Sequence, residues 1–267
     1  MKIPFTKAHG ARNDFLLTWE HHLAESADPA AIAVAICDRH TGVGADGWLL
    51  VSSNASGAAS IRLWNSDGST SEMSGNGTRC AAAFLIEAGH ASEEIVIGTG
   101  AGPKHLRLLD RQNHAFSFEM NMGRARIEEL HARVQGQDAV ILNVGNPQCA
   151  VKVDSFDLDW RALGEVIERD PRFPNRTNVS FVQVLDAHTI DVRFFERGAG
   201  ETMSSGTGST GAAAAAFARG LVQSPVEVRT PAGPLALRWH GHEILLAGPA
   251  EIIATGEFYI AIASRHA

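Results

Sequence analysis

Two stretches of the chain carry the same order of apolar and polar positions. Ile61-Arg62-Leu63-Trp64 and Val192-Arg193-Phe194-Phe195 each set a polar residue among apolar ones, the period of a strand with one covered face. A polar loop follows each, and then Ser-Gly-Asn-Gly-Thr over 74–78 or Ser-Gly-Thr-Gly-Ser over 205–209. Small-residue runs come next and predict helices over Ala81–Ala88 and Ala212–Ala218, stopped by Gly89 and Gly220 just past their ends. Ile95-Val96-Ile97 and Val226-Glu227-Val228 predict short strands beyond them, and Met1-Lys2-Ile3-Pro4-Phe5 predicts an opening strand.

The likeness is an internal repeat. A shift of 131 places residues 62–107 on 193–238 without a gap, and fourteen of the forty-six positions are identical. Chance would give about three. The matches cluster at Ser74-Gly75/Ser205-Gly206, Ala81-Ala82-Ala83/Ala212-Ala213-Ala214 and Ala101-Gly102-Pro103/Ala232-Gly233-Pro234. An Ala-rich helix can be approached closely on every side. The pattern therefore predicts an α/β (α+β) chain of two pseudo-symmetric units, each a curled sheet around a central helix that starts near Gly77 or Gly208. The expected boundaries are 1–118 for the first unit, completed by a C-terminal strand over 252–267, and 119–251 for the second.

Composition narrows the function. The chain has 267 residues, 45% hydrophobic and 20% charged, the balance of a soluble globular protein. Its formal net charge is −7, with no Lys/Arg run, which disfavours a nucleic-acid partner. No apolar run is long enough for a membrane span, and the N-terminus lacks the order of a signal peptide. The three cysteines, Cys37, Cys80 and Cys149, form no CxxC pair. They fit free thiols in a reducing compartment, so a cytoplasmic location is expected. The histidine pairs His21-His22 and His240/His242 have no supporting Cys or carboxylate pattern, so no metal is expected.

A Gly-rich loop entering a helix presents free N–H groups and the positive end of the helix dipole, which is an anion site. Two such loops could hold one carboxylate. Phosphate binding is disfavoured, because GxxxxGK[ST] is absent. Gly42-Val43-Gly44-Ala45-Asp46-Gly47 resembles a dinucleotide fingerprint, but a helix rather than a strand is expected before it. Ser74 and Ser205 sit at the two helix starts. Serine is a preferred N-cap, so capping alone accounts for them; their symmetric placement equally suits paired functional groups.

Here the residues resemble a known family, the diaminopimelate epimerases, along nearly the whole chain. Asn65-Ser66-Asp67-Gly68-Ser69 with Glu72-Met73-Ser74-Gly75-Asn76-Gly77-Thr78-Arg79-Cys80 resembles the first signature. Glu196-Arg197-Gly198-Ala199-Gly200-Glu201-Thr202 with Ser205-Gly206-Thr207-Gly208 resembles the second. Gly10 with Asn13-Asp14-Phe15, then 39–47, Gly145-Asn146-Pro147 and Arg176-Thr177-Asn178-Val179 follow in the family's order.

The resemblance implies an enzyme that interconverts LL- and meso-2,6-diaminopimelate without pyridoxal phosphate or any other cofactor. Two groups would reach the α-carbon from opposite sides, one taking a proton and the other returning one. Substrate contacts are implied at Asn13, Asn65, Asn146, Asn178, Glu196 and Arg197, with the α-carboxylate on the backbone of Gly75, Asn76, Gly206 and Thr207. Each has a simpler alternative: a turn or cap for Asn13, Asn65 and Asn146, and a strand-end ion pair for Glu196 with Arg197. The partner implied is this small amino acid, with a homodimer as a further expectation. Tyr259, in the C-terminal strand, suits either a dimer contact or the rim of the core.

The departures fall in the chemistry. Ser74 and Ser205 stand where the family has its two cysteines. Gln148 stands where it has a histidine that assists the first of them. Glu196, the assistant on the other side, is kept, and Gly47 replaces a polar residue of some members. A serine hydroxyl ionises several units above a thiol and is a poor base unless a neighbour assists it. The catalytic set expected here is Ser74, Ser205, Glu196 and Gln148. Three alternatives to a serine epimerase stay open: a one-base isomerase of the same fold, a catalytically weak amino-acid-binding homologue, and an introduced Cys→Ser pair, against which Gln148 argues.

Overall fold

The computed structural model describes residues 2–53 and 58–260, so Met1 of the expected opening strand lies outside the described residues. The chain divides into two compact units, Met1–Phe118 with Pro249–Ala267, and Glu119–Gly248.

The first unit runs β1 (Lys2–Gly10), β2 (Asn13–Trp19), α1 (Pro29–Cys37), β3 (Gly47–Ser53), β4 (Ala59–Asn65), β5 (Thr70–Ser71), α2 (Gly75–Glu87), β6 (Glu94–Thr99), β7 (Gly102–Gln112) and the start of β8 (Ala115–Gly123). The second runs β9 (Arg126–Val134), β10 (Gln137–Asn143), β11 (Pro147–Lys152), α3 (Trp160–Glu168), β12 (Asn178–Asp186), β13 (Thr189–Glu196), β14 (Gly200–Thr202), α4 (Gly206–Ala218), β15 (Val226–Thr230), β16 (Gly233–His240) and the start of β17 (Glu243–Tyr259). The pairings match step for step. β2 and β3 are parallel around α1, as β11 and β12 are around α3. β4 is antiparallel to β3 and β5 and parallel to β6, as β13 is to β12, β14 and β15. The repeat therefore reaches well before residue 62, where Asp28/Asp159, Ala31/Ala162 and Ile36/Ile167 keep the shift of 131 across α1 and α3.

Of the C-terminal stretch expected to complete the first unit, 261–267 lie outside the described residues. Residues 251–259 of β17 pair antiparallel with β1, Lys2 opposite Tyr259 and His9 opposite Glu251. Tyr259 is 66% exposed, beneath the Lys2 ammonium, so it is not a rim residue of the core.

Each central helix is wrapped by its own strands. α2 packs on β1, β2, β3, β6 and β7, and is buried from Gly75 through Leu85. α4 packs on β9 to β13, β15 and β16, and its five-alanine run Ala212–Ala216 is buried. The outer helices seal the other sheet face: α1 buries Ile32, Ala33 and Ile36 against Leu16, Trp48 and Trp64, and α3 buries Trp160 and Ile167 against Phe181 and Val151. Local chemistry sets the ends of these helices. Asp28 accepts from the N–H groups of Ala30 and Ala31 ahead of Pro29, and Asp159 accepts from Ala162. Gly89 and Gly220 take positive φ (74° and 68°) just past α2 and α4, where the next N–H bonds back to Leu85 O or Ala216 O.

α2 and α4 begin at Gly75 and Gly206, two residues before the Gly77 and Gly208 expected for the central helices and six before the Ala-rich runs, so the Gly-rich segments are the first helical turns. Glycine costs a helix about 1 kcal/mol per residue, but here its bareness is required. A Cβ on Gly77 would lie 3.3 Å from Phe15, and one on Gly208 would lie 2.8 Å from the Phe194 ring and 3.0 Å from Ser205 Cβ. Gly208→Ala is accordingly expected to lower unfolding stability by roughly 1–3 kcal/mol, read by urea denaturation; an unchanged midpoint would mean that Phe194 has room to move.

Candidate active site

Ser74 and Ser205 are both N-caps in extended conformation. Ser74 Oγ accepts from Gly77 N–H at 3.1 Å, and Ser205 Oγ accepts from Gly208 N–H at 3.0 Å. The capping reading therefore holds for both. It also defines what remains: the N–H groups of Gly75 and Asn76, and of Gly206 and Thr207, precede the capped donor and have no partner within their helix. These are the backbone donors that the resemblance implies for a carboxylate.

The two serines differ in what receives their own proton. Ser205 Oγ donates to Glu196 Oε2 at 2.8 Å, while Thr202 Oγ1 donates to Glu196 Oε1 at 2.7 Å. Burial pushes the Glu196 carboxyl above its ordinary range, and the bonds from Thr202 and Ser205 only partly offset this. Ser205 thus sits on a carboxylate whose proton affinity has been raised. Among the described residues, no carboxylate or imidazole is hydrogen-bonded to Ser74. In the 131-residue repeat its matching neighbour is Asn65, which cannot take a proton. The ion pair offered as an alternative for Glu196 does not form: Glu196 ends β13 with both carboxylate oxygens bonded to Thr202 and Ser205, and Arg197, in the turn that follows, bonds to Asn175 O.

Around Ser205 the second unit gathers most of the residues expected there. Gln148, 1% exposed, donates to Asn146 Oδ1 at 2.7 Å, and Asn146 Nδ2 donates to Thr207 Oγ1 at 3.3 Å. Gln148 Oε1 is buried without a hydrogen-bond partner among the described residues. Asn178 Nδ2 donates to Pro147 O, and Asn178 Oδ1 accepts from Arg197 N–H at 3.1 Å. The Arg197 side chain is exposed, with one donor on Asn175 O at 3.2 Å.

In the first unit, Arg79 is fully buried, which lowers its pKa to about 10. It donates to Pro249 O and to Asn76 Oδ1. Asn76 Nδ2 donates to Asn13 Oδ1, and Asn13 Nδ2 donates to Asp46 Oδ2 at 2.7 Å. Arg39 forks onto Asp14 and Asp46 and closes this run. Burial alone would raise the Asp14 carboxyl, but the bonds from Arg39 and Lys7 outweigh it and hold the group below its usual range. Asn65 is a turn residue in this structure: Gly68 N–H bonds to its carbonyl, and its Nδ2 donates to Ser69 Oγ at 2.9 Å. The bare position at Gly47 also has a structural account. It lies opposite Phe15 where Asn178 lies opposite Gln148, and a Cβ there would meet Trp64 O at 3.0 Å.

Cys37, Cys80 and Cys149 are buried, and desolvation pushes each up to about 12. Among the described residues no group of three or more His, Cys, Asp or Glu side chains is placed to hold a metal ion, and no helix is long and apolar enough to cross a membrane. Sequence reading gave no role to Thr202, although it ends the second signature, and missed Glu168, a buried carboxylate at the end of α3 that stands in no motif.

Comparison with known proteins decides the family. The diaminopimelate epimerase family model matches residues 5–128 and 140–253. The diaminopimelate epimerase of Pelotomaculum thermopropionicum is 37% identical over 276 residues, covering 95% of this chain and 98% of its own. The chain belongs to the diaminopimelate epimerase family. The family's enzyme from Xanthomonas axonopodis pv. citri is 35% identical, with 96% of each chain covered. Solved structures share the fold at lower identity. A Bacillus anthracis phenazine biosynthesis protein of the PhzF family superposes with a TM-score of 0.75 at 16% identity, over 97% of this chain and 100% of that one. A probable proline racemase from Agrobacterium radiobacter gives 0.74 at 15% identity, over 99% and 94%. As a diaminopimelate epimerase family member, the chain is an isomerase.

Proposed function

We propose that the chain interconverts LL- and meso-diaminopimelate by proton transfer at the α-carbon, without pyridoxal phosphate or metal, and that Ser205 with Glu196 forms its principal acid–base couple. The observation that carries this is the 2.8 Å bond from Ser205 Oγ to the raised carboxylate of Glu196 at the start of α4. As Ser205 Oγ takes the α-proton, its own proton passes to Glu196, so no free alkoxide forms. The electron pair of the C–H bond moves into the α-carboxylate, where the backbone donors of the helix starts stabilise the growing charge. Ser74 Oγ–H gives its proton to the other face of the carbanion and regains one from water, while the proton taken up by Glu196 returns to solvent. Among the described residues no titratable side chain is hydrogen-bonded to Ser74 to relieve the alkoxide it passes through, so this step is slow and limits the rate. The chemistry suits a cytoplasmic metabolic enzyme that needs no oxidised cysteine.

Chiral separation after incubation with LL-diaminopimelate tests this. The meso isomer should accumulate, with and without a carbonyl reagent that would trap pyridoxal phosphate. Saturable binding with no isomer formed would overturn the proposal.

A one-base reading has a specific observation in its favour, because only Ser205 has a base. It predicts exchange of the α-proton with retention and no inversion.

Arg197, on the edge of this site, is proposed to hold the distal carboxylate with its planar fork. Arg197→Lys keeps the charge and loses the fork. Affinity for diaminopimelate should fall about tenfold, on the order of 1.4 kcal/mol, as measured by calorimetry. Unchanged affinity would remove Arg197 from the site.

A further inference from the structure

We infer that Glu168, at the end of α3, is a positioning residue that fixes Arg197 for carboxylate recognition; the inference rests on the proposed role of Arg197. Glu168 is 0% exposed. A buried carboxylate costs several kcal/mol in desolvation unless its oxygens are well used, and an apolar side chain would fill the same space. What its oxygens reach therefore matters. Arg176 Nη2 lies 2.5 Å from Oε1 and 2.6 Å from Oε2, and Arg169 Nε lies 3.5 Å from Oε2. Oε1 also accepts from the N–H of Gly198 at 3.2 Å, and that peptide follows Arg197 directly. The Glu168 backbone carbonyl accepts from Thr177 N–H at 3.3 Å.

These bonds converge on two segments. One is 175–178, which supplies Asn175 O to the Arg197 guanidinium and Asn178 Oδ1 to the Arg197 N–H. The other is the turn after β13, where Gly198 takes φ 80°. Arg176 itself sits at φ 60°, a region that side chains other than Gly and Asn seldom occupy. Such a conformation persists only where its surroundings hold it, and the doubly bonded Glu168 holds it here. One buried carboxylate thus locks both strips of backbone that grip the exposed arginine. Among the described residues it is not hydrogen-bonded to Ser205, Glu196 or Thr202, so it should act on binding and not on proton transfer.

The test is a double-mutant cycle with Glu168→Gln and Arg197→Lys, read as Kd for LL-diaminopimelate by calorimetry and as KM and kcat. Glu168→Gln keeps the shape and an acceptor for Gly198 but loses the charge that holds Arg176. It should raise Kd and KM about tenfold and change kcat less than about threefold. Combined with Arg197→Lys it should add almost nothing, because the arginine it positions is already gone. Should Glu168→Gln not fold, Glu168→Gln/Arg176→Gln removes both buried charges together and is read the same way. Independent, additive losses, an equal fall in kcat, or an unchanged Kd would each overturn the positioning role. If Arg197→Lys weakens binding while Glu168→Gln does not, this inference alone fails. If Arg197→Lys itself leaves Kd unchanged, the proposed role of Arg197 fails first.

Discussion

Glu196→Gln is expected to lower kcat by roughly 10²–10⁴-fold, the usual contribution of a positioned acid–base group. The amide oxygen can accept from one of the two hydroxyls and the amide NH2 can donate to the other, so the cap of α4 and the neighbouring strand should stay in place. What is lost is the site that takes the Ser205 proton. The pH profile separates this from a packing effect. Activity needs the carboxylate, so in the parent enzyme kcat/KM should rise with pH through the raised pKa of Glu196. That acidic limb should vanish in the variant. Stability should move the other way. A carboxyl whose folded pKa is raised binds its proton more tightly in the folded state. Its favourable contribution is full below the unfolded value of about 4.3 and is lost as pH rises through the folded value. At neutral pH the ionised, desolvated Glu196 is therefore a liability, and Glu196→Gln should melt no lower than the parent. A variant that is both inactive and less stable would point to a structural role.

The second large effect runs upward. Changing Ser74 and Ser205 together to cysteine should raise epimerase activity about a hundredfold or more. A thiol ionises near pH 8.5, lower at a helix start, and so lies nearer working pH than a hydroxyl. The gain should be unequal. Ser205 already passes its proton to Glu196, whereas Ser74 has no such neighbour, so Ser74→Cys alone should exceed Ser205→Cys alone. Both N–H bonds to the capping atom, from Gly77 and Gly208, become weaker contacts to sulfur, at a cost typical of a helix cap, about 1 kcal/mol. Initial rates of the four proteins decide it. A double variant no faster than the parent would mean that the site has diverged at more than these two atoms.

Much of this was legible in the sequence because it is local. The 131-residue repeat, the stop at Gly89 and Gly220, and the capping serines are short-range patterns, and they lie where the pattern puts them. The helix starts lie two residues before the expected Gly77 and Gly208, because Ser-Gly-Asn-Gly reads as a loop by propensity. Close approach of Phe15 and Phe194 to the bare glycines outweighs that preference. The duplication before residue 62 is carried mainly by strand pairing, β2 with β3 and β11 with β12, and shares only scattered residues such as Asp28/Asp159 and Ile36/Ile167. Asn65 had two readings and took the turn, since a short β4–β5 return needs its carbonyl and side chain. Glu196 and Arg197 are neighbours in sequence, and only the structure shows that one bonds to Ser205 and the other to Asn175 O. Glu168 gave no signal, because its value lies in contacts with residues far along the chain.

The central claim is that serine, backed by Glu196, moves the α-proton. Incubation with LL-diaminopimelate in D₂O, followed by NMR of the α-position and chiral analysis, tests it most directly. The account predicts loss of the α-proton signal and deuterium at the α-carbon of the meso product, with washout at least as fast as inversion because the Ser74 step is slow. A full α-proton signal after prolonged incubation at saturating substrate would contradict it.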